Sequence, residues 1–261
     1  MSAKGIVVRP VADKIADEVV RRHHYSGKTY YKRRLSLGVF YAGKLEGAMQ
    51  FGPPLDQRKV MPLVTGTEWQ GMMELNRMAF SEALPRNSES RALGVAFRMI
   101  RKHRPDIKWV LSYSDATQCG DGAIYRATGF VLTAVKVNSG LYRMPDGVVV
   151  TNVGMNTGSG IQRKYGFNKG VESFSVWVKR SGAVRLPGYQ LRYIKFLDPA
   201  WADRLTVPVI PFSKIPDDAK MYKGEKITRQ HVDDPCTPAG TRRCNSDPVA
   251  PSLEVPDGTT D

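Results

Sequence analysis

The chain has 261 residues, 41% of them hydrophobic and 9% aromatic, which is enough for one large core, and it carries a net charge of +14. No run approaches the ~20 apolar residues that span a bilayer, and no apolar stretch after Met1 reads as a signal peptide. Cys119, Cys236 and Cys244 fit neither a disulfide framework nor a zinc motif, so the expected location is a reducing cytoplasm with the tail cysteines as free thiols.

Gly5 to Pro10 reads as a first strand, and about Ala12 to His23 as a helix with Ile15, Ala16, Val19 and Val20 on one face. Tyr25 to Arg34 has no regular period and is expected to be a loop. Leu35 to Tyr41 and Leu45 to Phe51, around Ala42-Gly43-Lys44, form a hairpin pattern. Pro53 to Gly66 reads as loop, and Met72 to Phe80 as a strand. Asn87 or Ser88 caps a helix from about Glu89 to His103, which Pro105 ends. Ile107 to Tyr113 reads as a buried strand, Gly122 to Thr128 as a short helix and Phe130 to Val137 as a strand. Gly140 to Val150 is expected to add pairing, and Gly188 to Leu197 a last strand. The order β-α-β-β-β-α-β-α-β predicts an α/β fold with a central mixed sheet flanked by helices. One domain is expected over residues 1–210. Residues 211–261, rich in Pro, Asp, Ser and Thr, read as a disordered tail.

The charge is clustered. Residues 1–34 hold nine basic against three acidic residues and residues 151–196 eight against one, whereas residues 214–261 hold seven against nine. Such clusters favour a polyanion, and nucleic acid in particular, over a merely soluble basic surface. Lys28, Tyr30, Tyr31, Lys32, Arg33 and Arg34 interleave cations with aromatic rings, the combination that grips phosphates and stacks bases. Arg163-Lys164, Lys169 and Lys179-Arg180 make a second basic surface. Either segment alone is equally readable as a solvated loop.

Two motifs bear on chemistry. Arg91-x-x-Gly94-x-Ala96 lies in the first turns of a helix after a strand, where unpaired N–H groups and the helix dipole hold a pyrophosphate. Taken alone it is better read as a helix packed tightly by a glycine, with Arg91 as a surface charge. Tyr125, followed by Gly129-Phe130, closes a short helix and can be plain core packing. In this order, about thirty residues apart with a strand between, the two resemble the GCN5-related N-acyltransferase superfamily. That resemblance implies coenzyme A on Arg91, Gly94 and Ala96, with Tyr125 protonating a departing thiolate. His23-His24-Tyr25-Ser26, Glu74-Leu75-Asn76-Arg77, Leu84 to Arg91, Ser112 to Asp115 and Gly122 to Phe130 further resemble the Mom proteins of Mu-like phages. These acyltransferase-like enzymes convert DNA adenine to N6-carbamoylmethyladenine and shield phage DNA from restriction endonucleases.

The resemblance, over about residues 10–200, implies that His24, Tyr25, Arg77, Ser90, Asp115 and Tyr125 line the active site of a transferase acting on double-stranded DNA in the host cytoplasm. Adenine N6 is a poor nucleophile because its lone pair is delocalised. Asp115 at a strand end suits accepting its proton, Tyr125 acting as an acid, and Arg77 neutralising a phosphate or oxyanion. Ser90 suits a hydrogen bond to donor or substrate. Plain alternatives are a turn cap for Asp115, a first-turn polar residue for Ser90, and an ion pair with Glu74 or Glu82 for Arg77. The resemblance also leaves room for iron on His24, Tyr25 and Asp115, against which stands base stacking by the His–Tyr pair. The donor is either an acyl-CoA or another activated, glycine-derived carrier, since carbamoylmethyl carries an N–CH2 bond that simple acetyl transfer does not make. A homodimer is admitted. The rival functions are an acyl-CoA-dependent N-acetyltransferase acting on a protein or small amine, and a non-enzymatic DNA-binding protein.

Overall fold

The computed structural model describes residues 2–117, 120–156 and 160–219, together with the strands Met221–Tyr222 and Glu225–Lys226. The chain clusters into two units, residues 1–227 and 228–261, and the second lies outside the described residues. The three cysteine positions also lie outside them.

β1 (Val7–Pro10) leads to α1 (Asp13–His23), then to the hairpin of β2 (Leu35–Tyr41) and β3 (Lys44–Gly52). After α2 (Gln57–Val60) come β4 (Met72–Phe80), α3 (Ser88–His103), β5 (Trp109–Asp115), α4 (Ala123–Ala127) and β6 (Val131–Val137). β7 (Leu141–Arg143), β8 (Val149–Thr151), α5 (Asn152–Asn156), α6 (Gly160–Lys164), α7 (Phe174–Ser181) and β9 (Val184–Arg185) precede β10 (Tyr189–Phe196). The main sheet runs β1-β2-β3-β4-β5-β10-β6, antiparallel throughout except for the parallel pair β4–β5. The mixed α/β sheet expected from the sequence is present.

Alternation along the strands sends side chains to two faces. On one, Met73, Leu75 and Val110 pack with Leu93, Ala96, Phe97 and Ile100 of α3. On the other, Met72, Trp109, Leu111 and Ile194 are buried with Val60 and Leu63, while Ala16 and Val20 of α1 pack on Ala48 and Ala79. The small alanines let α1 lie close to the sheet.

The β4–β5 ladder is short: Met72, Met73 and Glu74 face Trp109, Val110 and Leu111. Beyond it β4 stays with β3 through Phe80 and β5 stays with β10 through Asp115, so the two strands part. The register between β3 and β4 shifts at this point, with Gln50 opposite Arg77 and Phe51 opposite Leu75, leaving Asn76 as an extra residue. Such a bulge bends and over-twists its strand, which carries β4 away from β5.

Three expectations change. Pro53 to Gly66 is not all loop: α2 and a 3-10 turn at Met61–Leu63 bury Val60, Leu63 and Val64, and Asp56 caps α2. The pairing expected over residues 140–150 joins a separate three-stranded sheet, β8-β7-β9, rather than the main one. Residues 211–219, grouped by composition with the tail, make two 3-10 turns that bury Ile215 and Ala219 in the main core. Two apolar side chains suffice to hold a segment whose average composition is polar.

Candidate active site

Glu74 is the last β4 residue paired to β5, and so stands at the vertex where the strands part. Its side chain is half-buried. Burial pushes its carboxyl up from 4.5 to about 7, against the opposing pull of an Asn76 hydrogen bond and the Arg77 charge. Around it the titrations are coupled. Burial, then Glu74, raises Tyr30 to about 12 and also raises Tyr113. Burial lowers Arg77, which is held up by Tyr25, Glu74 and Tyr30. His24 falls to about 4 through burial and the Arg77 charge, so its ring is neutral. Glu74, Arg77, His24, Tyr25, Tyr30 and Tyr113 therefore form one electrostatic cluster. Sequence reasoning named four of the six and missed Glu74 and Tyr113. The usable signal was a carboxylate amid the apolar pattern Met72-Met73-Glu74-Leu75, an expensive residue to bury without a role.

The loop after α1 is tied down over this cluster. Arg77 donates through Nε to the Lys28 carbonyl (2.6 Å) and through Nη1 to the Asn76 carbonyl (2.6 Å). Tyr30 Oη donates to the Pro53 carbonyl (2.9 Å), which also accepts from Asn76 Nδ2 (3.4 Å). Gly52 is needed here, because a Cβ at that position would collide with the Lys32 carbonyl. Arg33 turns inward: it pairs with Asp17 (3.3 Å) and Asp13 (3.4 Å) on α1 and bonds the Tyr30 carbonyl. Gln50 Nε2 donates to the same Asp17 (2.8 Å). Two of the six residues expected to meet nucleic acid are thus structural. Arg33 neutralises the buried Asp17 and the exposed Asp13, and the Tyr30 hydroxyl is committed to Pro53. Lys28, Tyr31, Lys32 and Arg34 remain exposed, as does Tyr25, whose ring stacks on His24 at 4.3 Å.

The start of α3 forms a cavity of about 690 Å³ lined by Lys4, Arg86, Asn87, Ser90, Arg91, Gly94 and Arg98, among others. Four cations and the amino end of a 16-residue helix make it electropositive. Asn87, with φ 68, enters the helix without a side-chain cap, so the first N–H groups are not covered by it. Gly94 opens outward: a Cβ there would meet only Arg98 Nη1, at 3.9 Å. Ala96 is different. It is fully buried in the core, two residues past Gly94 and so on the opposite face of the helix, and cannot touch a ligand in the cavity. Ser90 half-lines the cavity and donates to the Asn87 carbonyl (3.1 Å).

Tyr125 lies in the core between Phe130 and Tyr193, both rings 5.1 Å away, with its hydroxyl 3.5 Å from the Tyr113 carbonyl on β5. Its phenol therefore reaches the strand that leaves the vertex. Asp115 ends that strand and accepts from the Thr117 N–H (3.0 Å), the turn-capping role weighed as its plain alternative. The structure gives the iron set no support. His24 Nδ1 is taken by the Ser26 hydroxyl (2.9 Å) and N–H (3.2 Å), and no group of three His, Cys, Asp or Glu side chains gathers among the described residues. No helix among these residues is long and apolar enough to cross a membrane.

A cation-lined cavity at a helix start, a carboxyl where two parallel strands part, and an aromatic loop tied down beside it suit a group-transfer enzyme. The chain belongs to the Mom protein family, whose profile matches residues 5–214. The methylcarbamoylase Mom of Escherichia phage Mu is 32% identical over 215 residues, covering 82% of this chain and 85% of that protein. Among solved structures, the Escherichia coli ribosomal-protein-S18-alanine N-acetyltransferase superposes with a TM-score of 0.44 at 12% identity, over 74% of this chain and 94% of the other. The Bacillus cereus IAA acetyltransferase gives 0.42 at 12%, over 73% and 99%.

Proposed function

We propose that this protein is a phage DNA-modification transferase that carries a carbamoylmethyl-type group to N6 of adenine in double-stranded DNA, protecting it from restriction endonucleases. The observation that carries the reading is Glu74. A carboxyl titrating near 7 at the vertex of two parting strands is suited to accept a proton from a weakly nucleophilic amine at neutral pH. The cation-lined cavity at the start of α3 supplies the donor side, with Arg91, Gly94 and Ser90 against a pyrophosphate or similar polyanion such as an acyl-CoA. The exposed Tyr25 and Tyr31 supply stacking surface for a base taken out of the helix, an extrusion that costs a few kcal/mol. In this reading Tyr125, whose hydroxyl lies 3.5 Å from the Tyr113 carbonyl, is the acid toward the leaving group, and Asp115 orders the turn beside it.

The test is expression in bacteria, digestion of genomic DNA to nucleosides and mass spectrometry for a heavier deoxyadenosine. The expected result is a new adenine nucleoside that disappears with Glu74→Gln and falls with Tyr125→Phe and Asp115→Ala. Unmodified DNA from abundant folded protein would overturn the reading in favour of an acyl-CoA-dependent N-acetyltransferase, whose product would appear on protein or small amines.

A further inference from the structure

Residues 138–188 form a module of their own. The chain leaves the main sheet after Val137 of β6 and rejoins it at Tyr189 of β10, and these two residues face each other in the ladder. Between them, β7, β8, β9 and the helices α5 to α7 enclose a separate core of Met144, Val150, Met155, Phe167, Trp177 and Ala183. Asn138 fastens the base. It is buried, its Nδ2 donates to the Leu186 carbonyl (2.6 Å), and its Oδ1 accepts from the N–H groups of Gly140 and Leu141 (both 3.0 Å). The base adjoins the chemistry. Gln190 pairs with Asp115, the Ala116 N–H donates to the Tyr189 carbonyl (2.8 Å), and Gly188, at φ +125, lies against Thr117.

The module holds seven basic and two acidic residues. Both acids are already answered, Asp146 by Lys164 (3.0 Å) and Glu172 by Arg180 (2.6 Å). Arg163, Lys169, Lys179 and Arg185 are exposed and make no ion pair among the described residues. The aromatic rings, by contrast, are turned inward. Tyr142, Phe167, Phe174 and Trp177 stack on one another or line the core, and no aromatic side chain is prominent on the surface. Binding to single strands needs exposed rings on which bases stack, whereas gripping duplex phosphates needs only well-spaced cations. The two basic regions of the protein differ in this respect, since the loop after α1 exposes Tyr25 and Tyr31 beside its lysines.

We infer that residues 138–188 are a duplex-binding module, whose Arg163, Lys169, Lys179 and Arg185 hold the phosphate backbone of double-stranded DNA beside the site that modifies a base. This rests on DNA being the substrate but not on the transfer chemistry. The module sets where the duplex sits, and the aromatic loop receives what leaves it.

The experiment compares the full-length protein with a variant carrying Arg163→Gln, Lys169→Gln, Lys179→Gln and Arg185→Gln, with melting curves recorded to verify folding. Binding to a labelled 30-mer duplex and to the same sequence as a single strand is measured from low to moderate salt without any donor. Each lost phosphate contact removes about 0.9 from the log–log salt slope on duplex. The expected result is a duplex slope shallower by about 3 to 4, with single-strand binding little changed. An unchanged duplex slope, or an equal loss on both substrates, would overturn the inference. Because no donor is present, tight duplex binding by a protein that modifies nothing would sink the proposed reaction and leave the module standing.

Discussion

Glu74→Gln separates the two things that a half-buried carboxyl at neutral pH does. In the folded protein the neutral form is favoured, with the titration displaced from 4.5 to about 7. A raised carboxyl contributes stability that is fully present below its unfolded value and is lost as pH rises through its folded value. The displacement corresponds to about 3 kcal/mol, retained at pH ~4.5 and gone above about 7. Glutamine keeps the shape and stays neutral at every pH, so the variant does not suffer that loss. The two proteins should melt alike near pH 5. At pH 8 the variant should melt higher, by roughly 6 to 12 °C for a chain of this size. The surrounding groups do not blur the comparison over that range. Tyr30 and Tyr113 are pushed above the ordinary phenol value, His24 sits at about 4, and Arg77 stays charged. Differential scanning fluorimetry from pH 5 to 9, paired with nucleoside yield, reads both effects. Activity in the unaltered protein should rise through pH 7 and be abolished in the variant. Parallel melting curves at all pH values would show that the carboxyl titrates normally, and the argument for it as a base would then fail.

Two further changes probe the supports of the site. Arg33→Ala leaves Asp17, which is only 7% exposed, with the Gln50 hydrogen bond (2.8 Å) and the longer Arg21 pair (3.8 Å), and should cost about 1–3 kcal/mol of folding stability by chemical denaturation while leaving the DNA salt slope nearly intact. An unaltered denaturation midpoint, or a lower salt slope, would return Arg33 to the DNA-binding set. Gly94→Glu places a carboxylate on the open side of the α3 cavity, where it should weaken binding of coenzyme A or another polyanionic donor tenfold or more, a loss of about 1.4 kcal/mol. Calorimetry with coenzyme A reads this directly, and unchanged binding would place the donor elsewhere.

Much of the sheet was legible because its signals are local. The hairpin turn at Ala42-Gly43, the amphipathic α1 and α3, and the apolar β4 and β5 each follow from spacing alone. What was not legible depends on register and on partners distant in sequence. The Asn76 bulge arises between β3 and β4 and leaves no mark on periodicity, yet it parts β4 from β5 and makes Glu74 a vertex residue. Arg33 reads as one more cation in a basic loop, and only the fold brings Asp13 and Asp17 beneath it. Ala96 fits the motif spacing, but two residues of helix, about half a turn, carry its methyl from the Gly94 side to the core face. The module over residues 138–188 was hidden because its strands are two or three residues long and its helices mostly five.

Arg77 is best understood through the loop it holds. Two of its donors are spent on the carbonyls of Lys28 and Asn76, a tether between β4 and a segment 49 residues away in sequence. Fixing a free backbone residue costs about 1–2 kcal/mol, so a loop of this length that ordered only on meeting DNA would consume much of the binding energy. Here the order is present beforehand. Arg77 pins Lys28, Arg33 pins the far side to α1, Tyr30 pins the middle to Pro53, and the Arg34 N–H continues into the sheet at the Phe51 carbonyl (2.8 Å). Tyr25 and Tyr31 are the exposed rings of this loop. A rigid frame presenting exposed aromatic rings offsets the cost of extruding a base more effectively than a mobile one. The guanidinium that resemblance places among the reacting groups therefore acts first on geometry: it fixes the loop beside Glu74, and it adds to the burial that keeps His24 neutral.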